Sequence, residues 1–432
     1  MKVSRFFFRA IFLVLPFSVS AQQNIDFPQW FTGTTLRVDY TFAGDSATQE
    51  LSLDELLELP TWAGRRHNLD SLCLAGNGQI TMHDSATHRV IYRTSFSSLF
   101  QEWQTTEEAS RLRRSFENVF LLPMPKQTVE ISLKLFDTHR HVLSQLHHTV
   151  NPKDILIRKI GTDKNIESRY IHRGGNPDTC IDVAIVAEGY TADEMPKFYK
   201  RASEATESIL GSEPFKSSKN LFNIIAVASP SHDSGISIPG KGIWKQTALN
   251  SHFDTFYSDR YLTTLHLKKL HDILASIPYE HIVILANTEN YGGGGILNSY
   301  TLTAADHEMF KPVVIHEFGH SFGGLADEYF YDDQYSTMYP SDTEPWEQNI
   351  TTLVDFESKW KDILPESTKI PTPPTNKGND IYTKIGVYEG GGYQSKGVYR
   401  AFQECRMKIN EAPEFCKVCR RALQRVIDFY TH

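Results

Sequence analysis

A change of hydrophobic rhythm part-way along the chain constrains its fold more than any other feature. Up to about residue 150, apolar residues alternate with polar ones, as in Leu36, Val38, Tyr40 and Phe42 of TLRVDYTF and Val129, Ile131, Leu133 and Leu135 of VEISLKLF. Period two puts one set of side chains on one face of a strand, so residues 22–150 are expected to form half-buried antiparallel strands of a small all-β sandwich. Beyond residue 178 the apolar residues run together, in CIDVAIVAEGY, LFNIIAVASP and HIVILAN, as in strands covered on both faces. Between the first two lies TADEMPKFYKRASEATESILG, whose Thr191 and Asp193 start, helical spacing and closing Gly211 predict a helix. Strands alternating with helices imply an α/β domain over residues 179–432, with a mixed, mostly parallel sheet covered by helices. The polar, basic stretch 151–178 reads as a linker, and KIPTPPTNKGND and YEGGGYQSKG read as loops. Two domains suit a length of 432 residues.

Residues 1–21 carry Lys2, Arg5 and Arg9, an apolar run from Ile11 to Val19, and the small residues Ser20 and Ala21. That order is expected of a secretory signal peptide cleaved after Ala21, the run being shorter than the roughly 18 residues a membrane span needs. The protein is therefore expected to be exported, periplasmic or extracellular, with no stable membrane insertion once the signal is removed. A net charge of −8 without a Lys/Arg cluster argues against nucleic acid as a partner, and nothing reads out the oligomeric state. Export permits disulfides. Cys405, Cys416 and Cys419 lie close together in ECRMKINEAPEFCKVCRR. A structural zinc site needs four ligands and the sequence offers no matching fourth, so a disulfide from Cys405 to Cys416 or Cys419 is expected.

Chemistry concentrates in residues 313–332, VVIHEFGHSFGGLADEYFYD. His316 and His320 are four apart, so on a helix both imidazoles project from one face and can reach a single Zn²⁺. Glu317, beside the first histidine, is placed to act as a base on a water activated by that metal. The helix is expected to start from the Thr/Asp-rich end of TAADHEMFKPVV, with Pro312 near enough to the start to be tolerated, and Val313, Val314, Phe318 and Phe322 to pack around it. A third ligand requires the chain to turn back, which Gly323 and Gly324 allow because glycine accepts positive φ. Ala326 stands where a third histidine would be familiar; counting from Gly324, Asp327 comes first, and Glu328 is the competing carboxylate.

HEFGHSFGGLADEY resembles the zinc-binding signature of the bacterial IgA-specific metalloendopeptidase family, and ECRMK followed by FCKVC resembles that family's downstream region. The resemblance covers Thr179 to the C-terminus, with the β-rich part similar to the family's N-terminal domain. It implies a metzincin-like zinc-peptidase domain, a cleft divided by the zinc helix, and a methionine turn beneath the metal. By position it implies His316, His320 and Asp327 as ligands of one catalytic Zn²⁺, Glu317 as general base, and Met407 as the turn methionine. The chain departs from the longer metzincin signature in using Asp where many members use His, and Ile409 leaves no tyrosine two residues after Met407.

The expected function is that of an exported zinc metalloendopeptidase acting on a polypeptide. The rival is a cell-surface or periplasmic glycan- or protein-binding protein with a vestigial metal site; another is zinc hydrolysis of a non-peptide amide. YGGGGIL, from Tyr291 to Leu297, reads as a flexible loop or as a glycine-lined edge for an added substrate strand. SPSHDSGIS is expected to be a cleft-wall loop, since adjacent Ser, His and Asp rarely have triad geometry.

Overall fold

The computed structural model describes residues 24–162, 166–331 and 338–432, so the expected signal peptide lies outside the described residues. Alternating sequence in the first part becomes two four-stranded sheets. One runs in the order Arg114–Pro125, Phe31–Gly44, Gln49–Leu59, Arg158–Lys159, the other Val90–Phe96, Gly78–Asp84, Val129–Phe136, Val142–Val150. Leu36, Val38, Tyr40 and Phe42 from the first sheet and Ile131, Leu133 and Leu135 from the second are fully buried in one shared core. Phe96 and Phe120 meet across the sheets with ring centroids 4.4 Å apart.

The strand Phe31–Gly44 is not half-buried as its alternation predicts. Arg37 and Asp39, on its polar positions, are each 1% exposed. Arg37 Nε binds Asp39 at 2.7 Å, Nη1 binds Asp272 at 2.6 Å, and Nη2 donates to the Lys268 carbonyl at 3.2 Å. Asp272 and Lys268 belong to the short helix Leu267–Ile273 of the second domain, so the expected solvent face of this strand is an interdomain contact.

The second domain is built on a six-stranded sheet in the order Gly293–Ile296, Tyr300–Ala304, His281–Ala286, Ile181–Glu188, Phe222–Val227, Ser168–Arg173. Its four central strands are parallel and each edge strand is antiparallel. The apolar runs of the centre are buried throughout, as two-sided coverage requires. The long helices cover one face only. Met195–Leu210, Phe310–Gly323 and Lys417–Thr431 pack on one face, through residues such as Phe198, Phe318 and Leu423. The opposite face, with Ala184, Val186, Ile225 and Ile284, joins the core of the N-terminal sheets through Leu249, Phe253, Leu262 and Leu270.

The stretch 151–178 is less of a linker than expected. Arg158–Lys159 adds to a sheet of the first domain and Ser168–Arg173 pairs with Phe222–Val227 at the edge of the second. Likewise YEGGGYQSKG is a β-hairpin rather than a loop: Tyr388–Gly391 and Tyr393–Arg400 pair around Gly392, whose φ of 55° suits glycine. The helix Met195–Leu210 starts where expected, behind a capping box in which the Thr191 N–H donates to Glu194 at 2.9 Å. No helix among the described residues is long and apolar enough to cross a membrane.

Candidate active site

The histidine helix, Phe310–Gly323, begins later than its sequence suggests, because Thr301, Thr303 and Ala304 belong to the preceding strand. Pro312 falls in its first turn, where no intrahelical N–H is lost. Val313, Val314, Phe318 and Phe322 are 0–5% exposed and anchor it to the core. Gly324 ends it in the left-handed region at φ 55°. A side chain there would meet Trp346 and Leu74 as well as the strain of positive φ.

The run YGGGGIL is neither a flexible loop nor a wholly open edge. Gly293–Ile296 is an edge strand lying against the histidine helix, and Tyr261 already bridges it at Gly293. A Cβ on Gly295 would sit 2.3 Å from the Glu317 carbonyl oxygen, and one on Gly293 2.8 Å from Glu317 Oε1. The glycines are therefore what let the helix approach the sheet. On its other side Gly319 makes room for Met407, whose Sδ would be 2.9 Å from a Cβ there; Met407 is fully buried.

His316, His320 and Asp327 come together as a triangle. Nε2 of His316 and of His320 are 3.0 Å apart, and Asp327 Oδ1 lies 3.0 Å from the first and 3.2 Å from the second. His316 Nδ1 lies 2.9 Å from the Arg406 carbonyl and His320 Nδ1 2.6 Å from that of Leu325. Carbonyls only accept, so both rings carry hydrogen on Nδ1 and turn an Nε2 lone pair inward. Two lone pairs and a carboxylate oxygen within about 3 Å repel unless a cation is shared among them. Asp327 Oδ1, buried, makes no hydrogen bond among the described residues. The spacing is close to the roughly 3.3 Å edge of a tetrahedron with ligands at about 2.0–2.1 Å, so the donor set fits a divalent metal such as zinc.

The electrostatics agree with that reading. Burial alone would raise the Asp327 carboxyl, but the two imidazoles override it and hold the group well below the usual carboxylate range. Burial disfavours a charged His320, yet the Asp327 carboxylate lifts it to about 9, so a proton on Nε2 competes with a metal for the centre of the triangle. Glu317 is raised by burial, with the two histidines opposing. Its carboxylate and the histidine nitrogens lie within 4.8 Å of one another.

Glu328 points the other way. It is fully buried, its Oε1 accepts from Asn349 Nδ2 at 3.0 Å and lies 3.2 Å from Cys419 Sγ, and burial pushes it well above the usual carboxylate range. Asn349 also grips the loop through Ala326, accepting from its N–H and donating to its carbonyl, both at 2.8 Å. Cys405, Cys416 and Cys419 gather beside Glu328 as free thiols.

Several residues around the site were not singled out from the sequence. The Tyr393 hydroxyl donates to Asp327 Oδ2, and Tyr329 stands 3.5 Å from that hydroxyl. Tyr393 sits in the glycine-rich hairpin, where composition hides it. Glu102, from the N-terminal domain in which no residue was expected near the chemistry, accepts from Tyr261 at 2.6 Å within electrostatic reach of His320 and Asp327. In SPSHDSGIS, Ser231 accepts the Gly189 and Ala248 N–H groups while exposed His232 pairs with Asp233, so no triad forms.

Residues 170–381 and 377–427 match the family model described as IgA Peptidase M64, and residues 26–147 match that described as Peptidase M64 N-terminus. A comparison with curated proteins found no match. The peptidase match covers more than half of the chain and contains the whole His316, His320 and Asp327 triangle. The chain belongs to the IgA Peptidase M64 family, and is a metallopeptidase with that family's N-terminal domain.

Proposed function

We propose that the protein is an exported zinc metalloendopeptidase with His316, His320 and Asp327 as the protein ligands of one catalytic zinc. The triangle of two inward lone pairs and an orphaned carboxylate oxygen carries this reading. Bound zinc supplies a Lewis acid that acidifies a water and polarises the scissile carbonyl.

The remaining work falls to the chain's own groups. Arg406 and Leu325 carbonyls lock both imidazoles in the tautomer that leaves Nε2 free. Tyr393 holds Oδ2 of Asp327, leaving Oδ1 to face the histidines. Glu317 takes the proton of the attacking water and delivers it to the leaving amine, a role suited by a carboxylate whose proton affinity burial has raised. Met407, packed beneath Gly319, supports the helix between the two histidines. Export rests on the basic, apolar and small-residue order of residues 1–21. The substrate is a polypeptide; no residue of the site reads an antibody hinge.

The test is Glu317→Gln in the zinc-loaded protein, assayed on a proteome-derived peptide library. Zinc content is expected to stay at the wild-type level while cleavage falls by about a hundredfold or more. Undiminished cleavage would overturn Glu317 as the base, and cleavage by wild type that persists after chelation would overturn the zinc mechanism.

A further inference from the structure

We propose a second metal site, structural rather than catalytic, in which Cys405, Cys416, Cys419 and Glu328 hold one zinc ion. Their ligand atoms all lie within 4.8 Å of one another and the four residues are at most 6% exposed. Cys419 Sγ is 3.7 Å from Cys405 Sγ, 3.5 Å from Cys416 Sγ and 3.2 Å from Glu328 Oε1. A tetrahedral zinc with sulfur at about 2.3 Å has ligand edges of about 3.8 Å between sulfurs and slightly less to oxygen. Three cysteines and one carboxylate thus stand at nearly the spacing such an ion imposes.

The sequence could not supply the fourth ligand because Glu328 is far from the cysteines along the chain. It arrives from the loop behind the histidine helix, and neighbouring Asp327 turns to the opposite side. Backbone groups are ready for thiolates: the Cys416 N–H donates to Cys405 Sγ at 3.2 Å and the Cys419 N–H to Cys416 Sγ at 3.5 Å. Cys416 also caps the helix Lys417–Thr431, whose N-terminus favours negative charge. Arg400, Arg406 and Lys408 act electrostatically on Glu328 or Cys405 and offset the surplus charge of three thiolates and a carboxylate around a dication.

A disulfide is the competing state, and it fits less well. Joining any two of the three sulfurs would leave the third thiol and Glu328 buried beside it, and Glu328 Oε2 already makes no hydrogen bond among the described residues. Zinc satisfies all four groups at once, the thiol protons leaving to solvent. The site would also brace the catalytic loop, because the Glu328 N–H donates to the Met407 carbonyl at 2.8 Å and ties the two ligand-bearing loops together.

The experiment uses the full chain, purified without added chelator, and measures metal by mass spectrometry and bonding by cobalt substitution. Wild type is expected to carry about two zinc ions per chain. Cys419→Ser is expected to lose one of them, and Asp327→Ala the other. In the cobalt protein a sulfur-to-cobalt charge-transfer absorption should persist in Asp327→Ala, which keeps this result separate from the fate of the active site. If Cys419→Ser does not fold, Glu328→Gln and the cobalt spectrum of wild type serve instead. A wild-type cobalt protein lacking thiolate absorption would overturn the proposal. So would a thiol titration of the denatured, metal-free wild type that finds two of the five cysteines blocked by a disulfide within this trio.

Discussion

Asp327 and Glu328 are neighbours whose carboxylates face opposite ways: Asp327 Oδ1 lies 3.0 Å from His316 Nε2, whereas Glu328 Oε1 lies 3.2 Å from Cys419 Sγ. Hydrogen bonds on both sides of the pair fix which goes where. The Gly392 N–H holds the Asp327 carbonyl at 2.8 Å and Asn349 holds Ala326 and Glu328. Asp327→Ala is therefore expected to lose the active-site metal and at least a hundredfold of activity. Retention of wild-type activity and histidine-bound metal in that variant would refute the assignment.

Tyr393→Phe removes only the hydroxyl that orients Asp327. Loss of such a partner typically costs about 10–100-fold in metal affinity, so zinc should dissociate at lower chelator concentration while the fold melts at nearly the same temperature. Competition titration against a chromophoric chelator measures this directly.

Gly293 and Gly295 separate two consequences of one close packing. Gly295→Ala puts a Cβ against the Glu317 backbone, which cannot yield, and is expected to destabilise by roughly 1–3 kcal/mol. Gly293→Ala instead meets the tip of the Glu317 side chain. That variant should keep its metal and melting temperature and lose kcat by about tenfold or more, a split visible by combining calorimetry with peptide-cleavage kinetics.

Arg37 is the buried charge on which the domain contact turns. Arg37→Met leaves Asp39 uncompensated at 1% exposure and is expected to cost about 3–5 kcal/mol. The double variant Arg37→Met with Asp39→Leu should recover most of that loss in denaturant unfolding. Equal instability of both would show that the charge balance is not the cause.

His281 makes the fold sensitive to acid. Burial lowers it to about 3, its ring centroid lies 4.9 Å from that of Phe322 and 5.3 Å from that of Tyr430, and Nε2 meets no hydrogen-bond partner among the described residues. A histidine depressed in the folded state stabilises fully above its unfolded value near 6.5 and loses that contribution as pH falls toward 3. The expected loss is about 2 kcal/mol by about pH 5. His281→Phe should flatten this part of the melting-temperature profile; an unchanged profile would exclude His281 as its source.

The amino-acid order alone determined what depends on near neighbours. Period-two runs specified the N-terminal strands, continuous apolar runs the buried parallel ones, and the four-residue spacing of His316 and His320 a shared helix face, because each signal lies within one element. The turn at Gly324 and the nearness of Asp327 were legible for the same reason. Tertiary structure alone decided the rest. Tyr393 reaches Asp327 from a hairpin that reads as a loop, and Glu102 approaches from a domain that looks remote. Arg37 and Asp39 alternate like surface residues and are buried because another domain covers them. Glu328 joins three cysteines that its position in the sequence gives no reason to connect with it. These pairings depend on how loops and domains close over long separations, and no local pattern encodes the angle at which they do so.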